Sequence, residues 1–291
     1  MPPSPVTAFT LRAPGGAAIT AYRSLPARRP RAIVQIAHGM AEHAGRYRRL
    51  TNALTAAGYA VYANDHRGHG GSAAAHGLGE FGPGGFQNLV DDMAALSSLA
   101  QAEIPGAPLI LIGHSMGSFA AQLYLLEHHA RLAGLVLSGT AAVDALTEAM
   151  AAAGPGAMNA AFAPARTDFD WLSRDEAEVD AYIEDPLCGF ALADAAMASV
   201  LQTAGPARHD PRLASVRSDL PVYVISGERD PVTGPGQAFV GAMIDSWRAA
   251  GLRHIDHRIY PGGRHELLNE INRDAVTGDL IAWLDGIAGK R

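Results

Sequence analysis

The residue with the most evident chemical potential is Ser115, at the centre of the pentapeptide Gly113-His114-Ser115-Met116-Gly117. An apolar run of strand length, residues 109–112, leads into it, and an apolar-periodic segment typical of a helix follows. A G-x-S-x-G pattern between a strand and a helix predicts a sharp turn that holds the serine hydroxyl above a sheet. Side chains in place of the two glycines would collide with neighbouring elements. We therefore predict that Ser115 is a catalytic nucleophile.

A serine hydroxyl is a weak nucleophile near neutral pH, so Ser115 requires a base, and the base requires an orienting carboxylate. In folds built around such a turn, the carboxylate and then the histidine follow the serine along the chain. Asp230 comes shortly after a predicted strand at 221–226, and His265 lies in a glycine-rich loop after the next predicted strand. We predict Asp230 as the acid and His265 as the base. Glu228 is an alternative acid in the same loop.

Acyl transfer through Ser115 also needs two N–H donors for the oxyanion of the tetrahedral intermediate. One is expected from the residue after the nucleophile, Met116, and the other from the loop that follows the third strand. The sequence His38-Gly39-Met40 begins that loop, which assigns the second role to the amide of Met40. Both contributions come from the backbone, so the side chains at these positions are free to vary.

The elements that must position these groups alternate between strands and helices. A turn at 14–16 predicts an antiparallel hairpin at the start of the sheet, and the later apolar runs are typical of parallel strands covered on both faces. This alternation predicts one α/β domain, with a mostly parallel eight-stranded sheet and helices on both faces. The predicted strands are 6–12, 17–23, 32–37, 60–64, 109–112, 134–138, 221–226 and 254–260. Besides the helix after Ser115, the predicted helices are 45–57, 87–100, 236–250 and 267–287.

The alternation is interrupted between residues 141 and 210, where the sequence shows helical patches without a clear strand. Gly154-Pro155-Gly156 and Pro164 divide this segment. We predict that 141–210 is a helical cap inserted into a single structural domain, whose core comprises residues 1–140 and 211–291.

Four sequence motifs together resemble those of the monoacylglycerol lipase and lysophospholipase family of α/β-hydrolases. They are H-G-x-x-E-H-x-x-R-Y at 38–47, D-H-R-G-H-G at 65–70, the G-H-S-M-G pentapeptide and G-R-H-E at 263–266. The resemblance covers the core from about residue 32 to 285, and two short stretches of the predicted cap, 171–175 and 185–187, are also similar to family cap sequence. One departure is Ser118, where many members of the family carry a third glycine.

This resemblance implies an α/β-hydrolase fold and a serine hydrolase that cleaves monoacylglycerols or similar single-chain lipid esters through an acyl-enzyme, without a cofactor. Related activities, lysophospholipase or general short- to medium-chain carboxylesterase, use the same machinery and stay open. A non-catalytic binding protein of the same fold is a further alternative, but such proteins usually lack part of the triad. The resemblance also places Glu42 and Arg46 near the alcohol portion of the substrate. An equally open interpretation is that these two side chains pair to brace their loop.

The composition of the chain limits the classes of binding partner and the cellular location that we expect. The chain of 291 residues has a formal net charge of -6, and its 23 Lys and Arg are scattered, so we expect no nucleic acid partner. A single cysteine, Cys188, excludes an internal disulfide framework, and the first residues lack the layout of a signal peptide, which favours the cytoplasm. No apolar run is long enough to span a membrane, although the cap could contact a lipid surface. The oligomeric state stays open.

Several other patterns are better explained by structure than by chemistry. Residues 77–82 fit G-x-G-x-x-G but follow a polar loop rather than a buried strand, so we do not expect a dinucleotide site. The histidine pairs at 66 and 69 and at 254 and 257 lack a third ligand nearby in the sequence, so we expect no metal. We interpret His114 as a residue that packs beside the turn at Ser115, and Cys188 as a small apolar residue of the cap.

Overall fold

A computed structural model describes residues 5–75, 77–154 and 156–289 of the chain. The N-terminal residues 1–4, on which the expectation about a signal peptide partly rests, and Pro155 of the predicted cap lie outside the described residues. Among the helices that the structure describes, none combines the length and the apolar character needed to cross a membrane.

The core is one eight-stranded sheet with the order β1-β2-β4-β3-β5-β6-β7-β8. β1 pairs antiparallel with β2, β2 pairs antiparallel with β4, and every later pairing is parallel, which confirms the predicted mostly parallel sheet. The strands are β1 Val6–Arg12, β2 Ala18–Ser24, β3 Ile33–Ala37, β4 Ala60–Asn64, β5 Leu109–His114, β6 Leu132–Ser138, β7 Val222–Gly227 and β8 Ile255–Tyr260.

Helices cover both faces of this sheet. Along β3 and β5, alternate residues join different cores: Ile33 and Leu109 belong to one apolar cluster, while Val34 and Ile110 belong to the other. The first cluster includes side chains of α2, α3 and α7, and the second includes those of α1 and α8. The helices are α1 Arg48–Ala56, α2 Gln87–Glu103, α3 Met116–His128, α4 Val143–Ala153, α5 Glu176–Glu184, α6 Asp194–Ala204, α7 Ala238–Ala249 and α8 Arg273–Ala288.

The largest differences from the predicted elements lie at helix starts. The last helix begins at Arg273 rather than near residue 267, because Leu267–Asn269 forms a separate 3₁₀ turn. Similarly, a 3₁₀ turn at Ala44–Tyr47 precedes α1. Apolar spacing continues through both turns, so periodicity alone could not separate them from the helices that follow.

The segment between β6 and β7 carries α4, α5, α6 and several 3₁₀ turns, and its described residues contain no strand. It interrupts the alternation of strands and helices at the carboxyl end of β6. Ligands of doubly wound sheets bind at the carboxyl ends of the strands, so this segment lies where it can border a site.

Candidate active site

Ser115 occupies the junction between β5 and α3 with φ 51° and ψ −123°, a backbone conformation that non-glycine residues rarely adopt. Its N–H donates to the Ser138 carbonyl on β6 at 2.9 Å, which fixes the turn to the sheet. A Cβ at Gly113 would lie 2.6 Å from the Gly117 carbonyl oxygen, and a Cβ at Gly117 would overlap the backbone of Ala37. Both glycines are therefore required by close backbone approaches, and the serine stands at the amino end of α3.

His265 and Asp230 meet beneath the same end of the sheet. Nδ1 of His265 lies 3.0 Å from each carboxylate oxygen of Asp230, and both side chains are buried. The Val232 N–H donates to Oδ1 of Asp230 at 2.9 Å and holds the carboxylate in place. Because the carboxylate engages Nδ1, Nε2 of the imidazole is left to accept a proton. Ser115 and His265 line one cavity.

The alternative acid, Glu228, is placed differently. It is exposed, and its Oε2 accepts a hydrogen bond from the Gly262 N–H at 2.7 Å. Within the described part of the chain its carboxylate makes no hydrogen bond to His265. The geometry therefore favours Asp230 over Glu228 as the partner of the imidazole.

The loop after β3 carries Met40, which lines the same cavity as Ser115. Gly39, Met40 and Met116 all line the cavity together with Ser115. Met116 is the first residue of α3, where an N–H has no partner within the helix. Among the described residues, the Met40 N–H likewise donates to no protein acceptor. Both amides that were predicted to bind the oxyanion are thus available beside Ser115, and their role stays a proposal.

Buried histidines hold the loop after β3, residues 38–43, in shape; this segment is called the oxyanion loop below after its proposed role. Ala41 has φ 53°, a second strained non-glycine conformation, and its N–H donates to Nε2 of His69 at 3.1 Å. The Ala41 carbonyl accepts a hydrogen bond from the Gly189 N–H at 3.0 Å, so both sides of this residue are anchored. His38 is anchored too, because its Nε2 accepts from the His66 N–H at 2.9 Å. The D-H-R-G-H-G motif is therefore a support for the loop that bears Met40.

This support can be tested by two matched substitutions. His69→Phe removes the acceptor of the Ala41 N–H, so we expect kcat to fall about tenfold to a hundredfold as the loop shifts. His66→Phe serves as the control, because neither ring nitrogen of His66 has a hydrogen-bond partner among the described residues. Equal losses of kcat in the two variants, measured on one ester, would contradict this role of His69.

Glu42 and Arg46 form the predicted pair, and a third residue joins them. Nη1 of Arg46 lies 2.9 Å from Oε2 of Glu42, and its guanidinium also binds both carboxylate oxygens of Glu266 at 2.5 and 2.7 Å. Oε1 of Glu42 accepts from the Gly39 N–H at 2.5 Å and from the Tyr47 hydroxyl at 2.7 Å. The cluster thus braces the oxyanion loop against the loop that carries His265. Glu42 and Glu266 additionally line the cavity, so the proposed contact with substrate stays open for Glu42.

The cavity above Ser115 has a volume of about 730 Å³, within the range of small-molecule sites. One end is polar, with the residues just described. The rest is mainly apolar, and the segment between β6 and β7 supplies most of the apolar side chains, among them Leu146, Met150, Met158, Trp171, Met197 and Leu201. Unbranched methionine side chains adapt to irregular shapes, so this region suits a flexible hydrocarbon chain.

Electrostatics give the two imidazoles of the site different properties. Burial alone would lower the pKa of His265, but the charge and hydrogen bond of Asp230 outweigh it and raise the pKa above the ordinary value of 6.5. Burial, and then the neighbouring His265, lower the pKa of His114 to about 4. His114 therefore stays neutral near pH 7 and packs against His265, with ring centroids 4.7 Å apart.

The raised pKa of His265 predicts the pH profile of the reaction. A general base must be neutral, so kcat/KM should increase with pH, with a midpoint above pH 6.5. At pH values below this midpoint the imidazole is protonated and kcat/KM is low. Asp230→Asn removes the charge that raises this pKa, so the midpoint should move to lower pH in the residual activity. An unchanged midpoint in that variant would mean that another group controls the profile.

Comparison with known proteins agrees with this geometry. Residues 28–272 match the model of the family described as serine aminopeptidase, S33. The chain belongs to this family. A monoacylglycerol lipase of Mycolicibacterium smegmatis is 33% identical over 88% of each chain, and a monoglyceride lipase of Mus musculus is 29% identical over 85% of this chain and 83% of that one. A carboxyl esterase of Bacillus coagulans in complex with glycerol has a TM-score of 0.86 at 28% identity, covering 97% of this chain and 99% of its own.

The S33 family membership and the similarity to the esterase structure confirm the α/β-hydrolase fold. They also agree with the resemblance of the sequence motifs to monoacylglycerol lipases. The inserted segment between β6 and β7 is placed by the structure of this chain itself, and its role as a cap is taken up as a proposal below.

Sequence reasoning gave no role to several residues that shape this S33 site. Glu266 directly follows the predicted base, but nothing in the sequence showed that it would bind Arg46 across 220 positions. Trp171 was noted only as part of a motif, yet its ring lies 4.8 Å from that of His265 between centroids, and its carbonyl accepts the His265 N–H at 3.3 Å. A carboxylate next to a catalytic histidine is the one sequence signal that could have found Glu266.

One group of described side chains has the donor types of a metal site. Ligand atoms of His43, Asp185 and Cys188 lie within 4.8 Å of one another. However, Nδ1 of His43 accepts from the Gly45 N–H at 3.2 Å, so Nε2 carries the proton and donates to Asp185 at 2.9 Å. Neither ring nitrogen offers a free lone pair, and the histidine instead ties the oxyanion loop to the inserted segment.

Proposed function

We propose that this chain hydrolyses the carboxylic ester of monoacylglycerols and similar single-chain lipid esters. The observation that carries the proposal is the Asp230–His265 pair, whose imidazole lines the same cavity as Ser115, at the polar end below mainly apolar walls. The serine hydrolase family and the relatives named as monoacylglycerol and monoglyceride lipases support it.

In this mechanism His265 accepts the proton of Ser115 at Nε2 while the serine oxygen attacks the ester carbonyl. Asp230 keeps the proton on Nδ1 and stabilises the imidazolium that forms. The amides of Met40 and Met116 bind the oxyanion of the tetrahedral intermediate. The imidazolium then protonates the leaving alcohol, and a water activated by the same histidine releases the fatty acid from the serine.

The segment 141–210 acts in this proposal as a cap that receives the acyl chain. Its apolar side chains supply most of the cavity wall, so it is expected to set the preference for chain length. The core formed by 1–140 and 211–291 then supplies the reacting groups.

The proposal is tested by a panel of substrates given to the purified protein. Monoacylglycerols of several chain lengths should show higher kcat/KM than lysophospholipids or short-chain esters. A general carboxylesterase is the second candidate, and the similarity to the Bacillus coagulans esterase structure favours it. Faster turnover of short-chain esters would select that candidate, and absence of any ester hydrolysis would overturn both.

Contact with lipid surfaces follows as a further expectation. Ile183 and Leu187 are exposed apolar residues of the inserted segment, and Leu201 is both exposed and part of the cavity wall. Replacing Ile183 and Leu187 together by serine should reduce co-sedimentation with phosphatidylcholine vesicles several-fold, because less apolar surface enters the interface. The matched control is Ile271→Ser, an exposed apolar residue outside that segment. Equal vesicle binding of the wild type and the double variant would exclude the segment as the contact. A cytoplasmic location stays a prediction.

A further inference from the structure

The polar end of the cavity carries negative side chains. Two buried carboxylates, Glu42 and Glu266, contribute to the lining, whereas the described lining residues include no Lys or Arg. Glu42 lies close to the nucleophile, since a Cβ built on Gly39 would be 2.8 Å from its Oε1 and 3.2 Å from Cβ of Ser115. An alcohol that leaves from the acylated Ser115 toward this end therefore passes close to the carboxylates of Glu42 and Glu266.

A single guanidinium balances these two carboxylates. Arg46 binds both of them, but it does not line the cavity. The ring of Tyr182, which does line the cavity, lies against the guanidinium at 4.9 Å from its centroid. One positive charge thus stands behind two negative ones, and the surface that a ligand meets keeps an excess negative charge.

The neighbouring titratable groups do not cancel this excess. Burial would raise the pKa of Glu266, but the charge and hydrogen bonds of Arg46 lower it to about 2, so Glu266 is ionised near pH 7. The pKa of about 4 keeps His114 uncharged, and His265 must be neutral to act as the base. Buried charges act strongly on ligands because little water screens them.

We propose that Glu42 and Glu266 select the leaving alcohol by its charge, so that the enzyme accepts neutral and cationic alcohols and rejects anionic ones. The inference rests on the proposed ester hydrolysis and adds a rule for the part of the substrate that faces the polar end. It separates neutral acylglycerols from esters that carry a phosphate or sulfonate on the alcohol. The apolar walls contact the acyl chain and contribute nothing to this discrimination.

The rule can be tested with three octanoyl esters, each used below its critical micelle concentration or, for the neutral ester, below its solubility limit. Choline and 3,3-dimethylbutanol have nearly the same shape and differ in charge, and 2-hydroxyethanesulfonate supplies the anionic alcohol. For the wild type we expect kcat/KM about tenfold higher for the choline ester than for the dimethylbutyl ester. We expect the sulfonate ester to be at least about tenfold slower than the neutral one.

Glu266→Gln leaves one carboxylate against one guanidinium. The ratios of kcat/KM for the choline ester and for the sulfonate ester to that of the neutral ester should therefore both move toward unity by about tenfold. The ratios are independent of the fraction of active enzyme, which protects the test against partial misfolding. Glu270→Gln is the control, because Glu270 is a buried carboxylate of the same loop that binds Arg174 and does not line the cavity. It should leave both ratios unchanged.

Three results would count against the proposal. Equal turnover of the three esters by the wild type would overturn the charge rule and leave ester hydrolysis intact. Unchanged ratios in Glu266→Gln would remove Glu266 from the rule. Failure to hydrolyse even the neutral ester would overturn the proposed function itself, and this inference with it.

Discussion

Replacing Ser115 by alanine is expected to lower kcat for ester hydrolysis by about 10⁵-fold, because the reaction loses the atom that forms the acyl-enzyme. The substitution should preserve the fold, since the Ser115 N–H and its bond to Ser138 belong to the backbone. A fluorophosphonate probe should label the wild type at Ser115 and fail to label the variant. Hydrolysis kinetics and mass spectrometry of the labelled protein measure the two effects.

Ser118 provides the matched control for this experiment. It lies within the first turn of α3, and its hydroxyl donates to the Ser115 carbonyl at 2.6 Å rather than lining the cavity. Ser118→Ala should retain labelling and activity within about tenfold of the wild type, because it removes only one hydrogen bond. Full ester hydrolysis by Ser115→Ala would exclude the acyl-enzyme mechanism.

Asp230→Asn is expected to lower kcat by about 10⁴-fold while leaving the site nearly unchanged in shape. An asparagine amide can donate to Nδ1 of His265, which places the imidazole proton on Nε2, where it opposes proton transfer from Ser115. Glu228→Gln removes the other carboxylate of the loop, which is exposed and bonded to Gly262. Its kcat should stay within about threefold of the wild type.

The results for Asp230→Asn and Glu228→Gln decide which of the two carboxylates orients His265. A large loss in Glu228→Gln together with a small loss in Asp230→Asn would reverse the assignment. Similar large losses in both would indicate that the loop must be intact as a whole. Circular dichroism and thermal unfolding of each variant distinguish loss of chemistry from loss of structure.

Strand periodicity and turn residues made most of the sheet predictable from the sequence. The inner parallel strands are buried on both faces, so their apolar runs were nearly continuous, and the residues that follow β5 and β7 were located from those runs. The parallel strand β8 shows the limit of this argument, because at the edge of the sheet only its end residues, Ile255 and Tyr260, are buried, and its sequence has no continuous apolar run.

Contacts between residues far apart in the chain could not be predicted from the sequence. The clamp between Arg46 and Glu266 depends on how two loops meet, and neither local propensity nor spacing reports such a meeting. The strained conformation of Ala41 was equally hidden, because alanine carries no signal for a positive φ. It is maintained by His69 and Gly189, which lie far from it in the chain.

The hydrogen bond from the Gly189 N–H to the Ala41 carbonyl bears on how this enzyme could be re-engineered. Grafting a foreign segment in place of 141–210 would remove an anchor of the oxyanion loop along with most of the apolar cavity wall. A chimera made for a new chain length could therefore lose turnover for a reason unrelated to its substrate. Chimeras that keep residues 185–189 of this chain should separate the two effects, and the same bond would constrain how independently the two parts diverge in evolution.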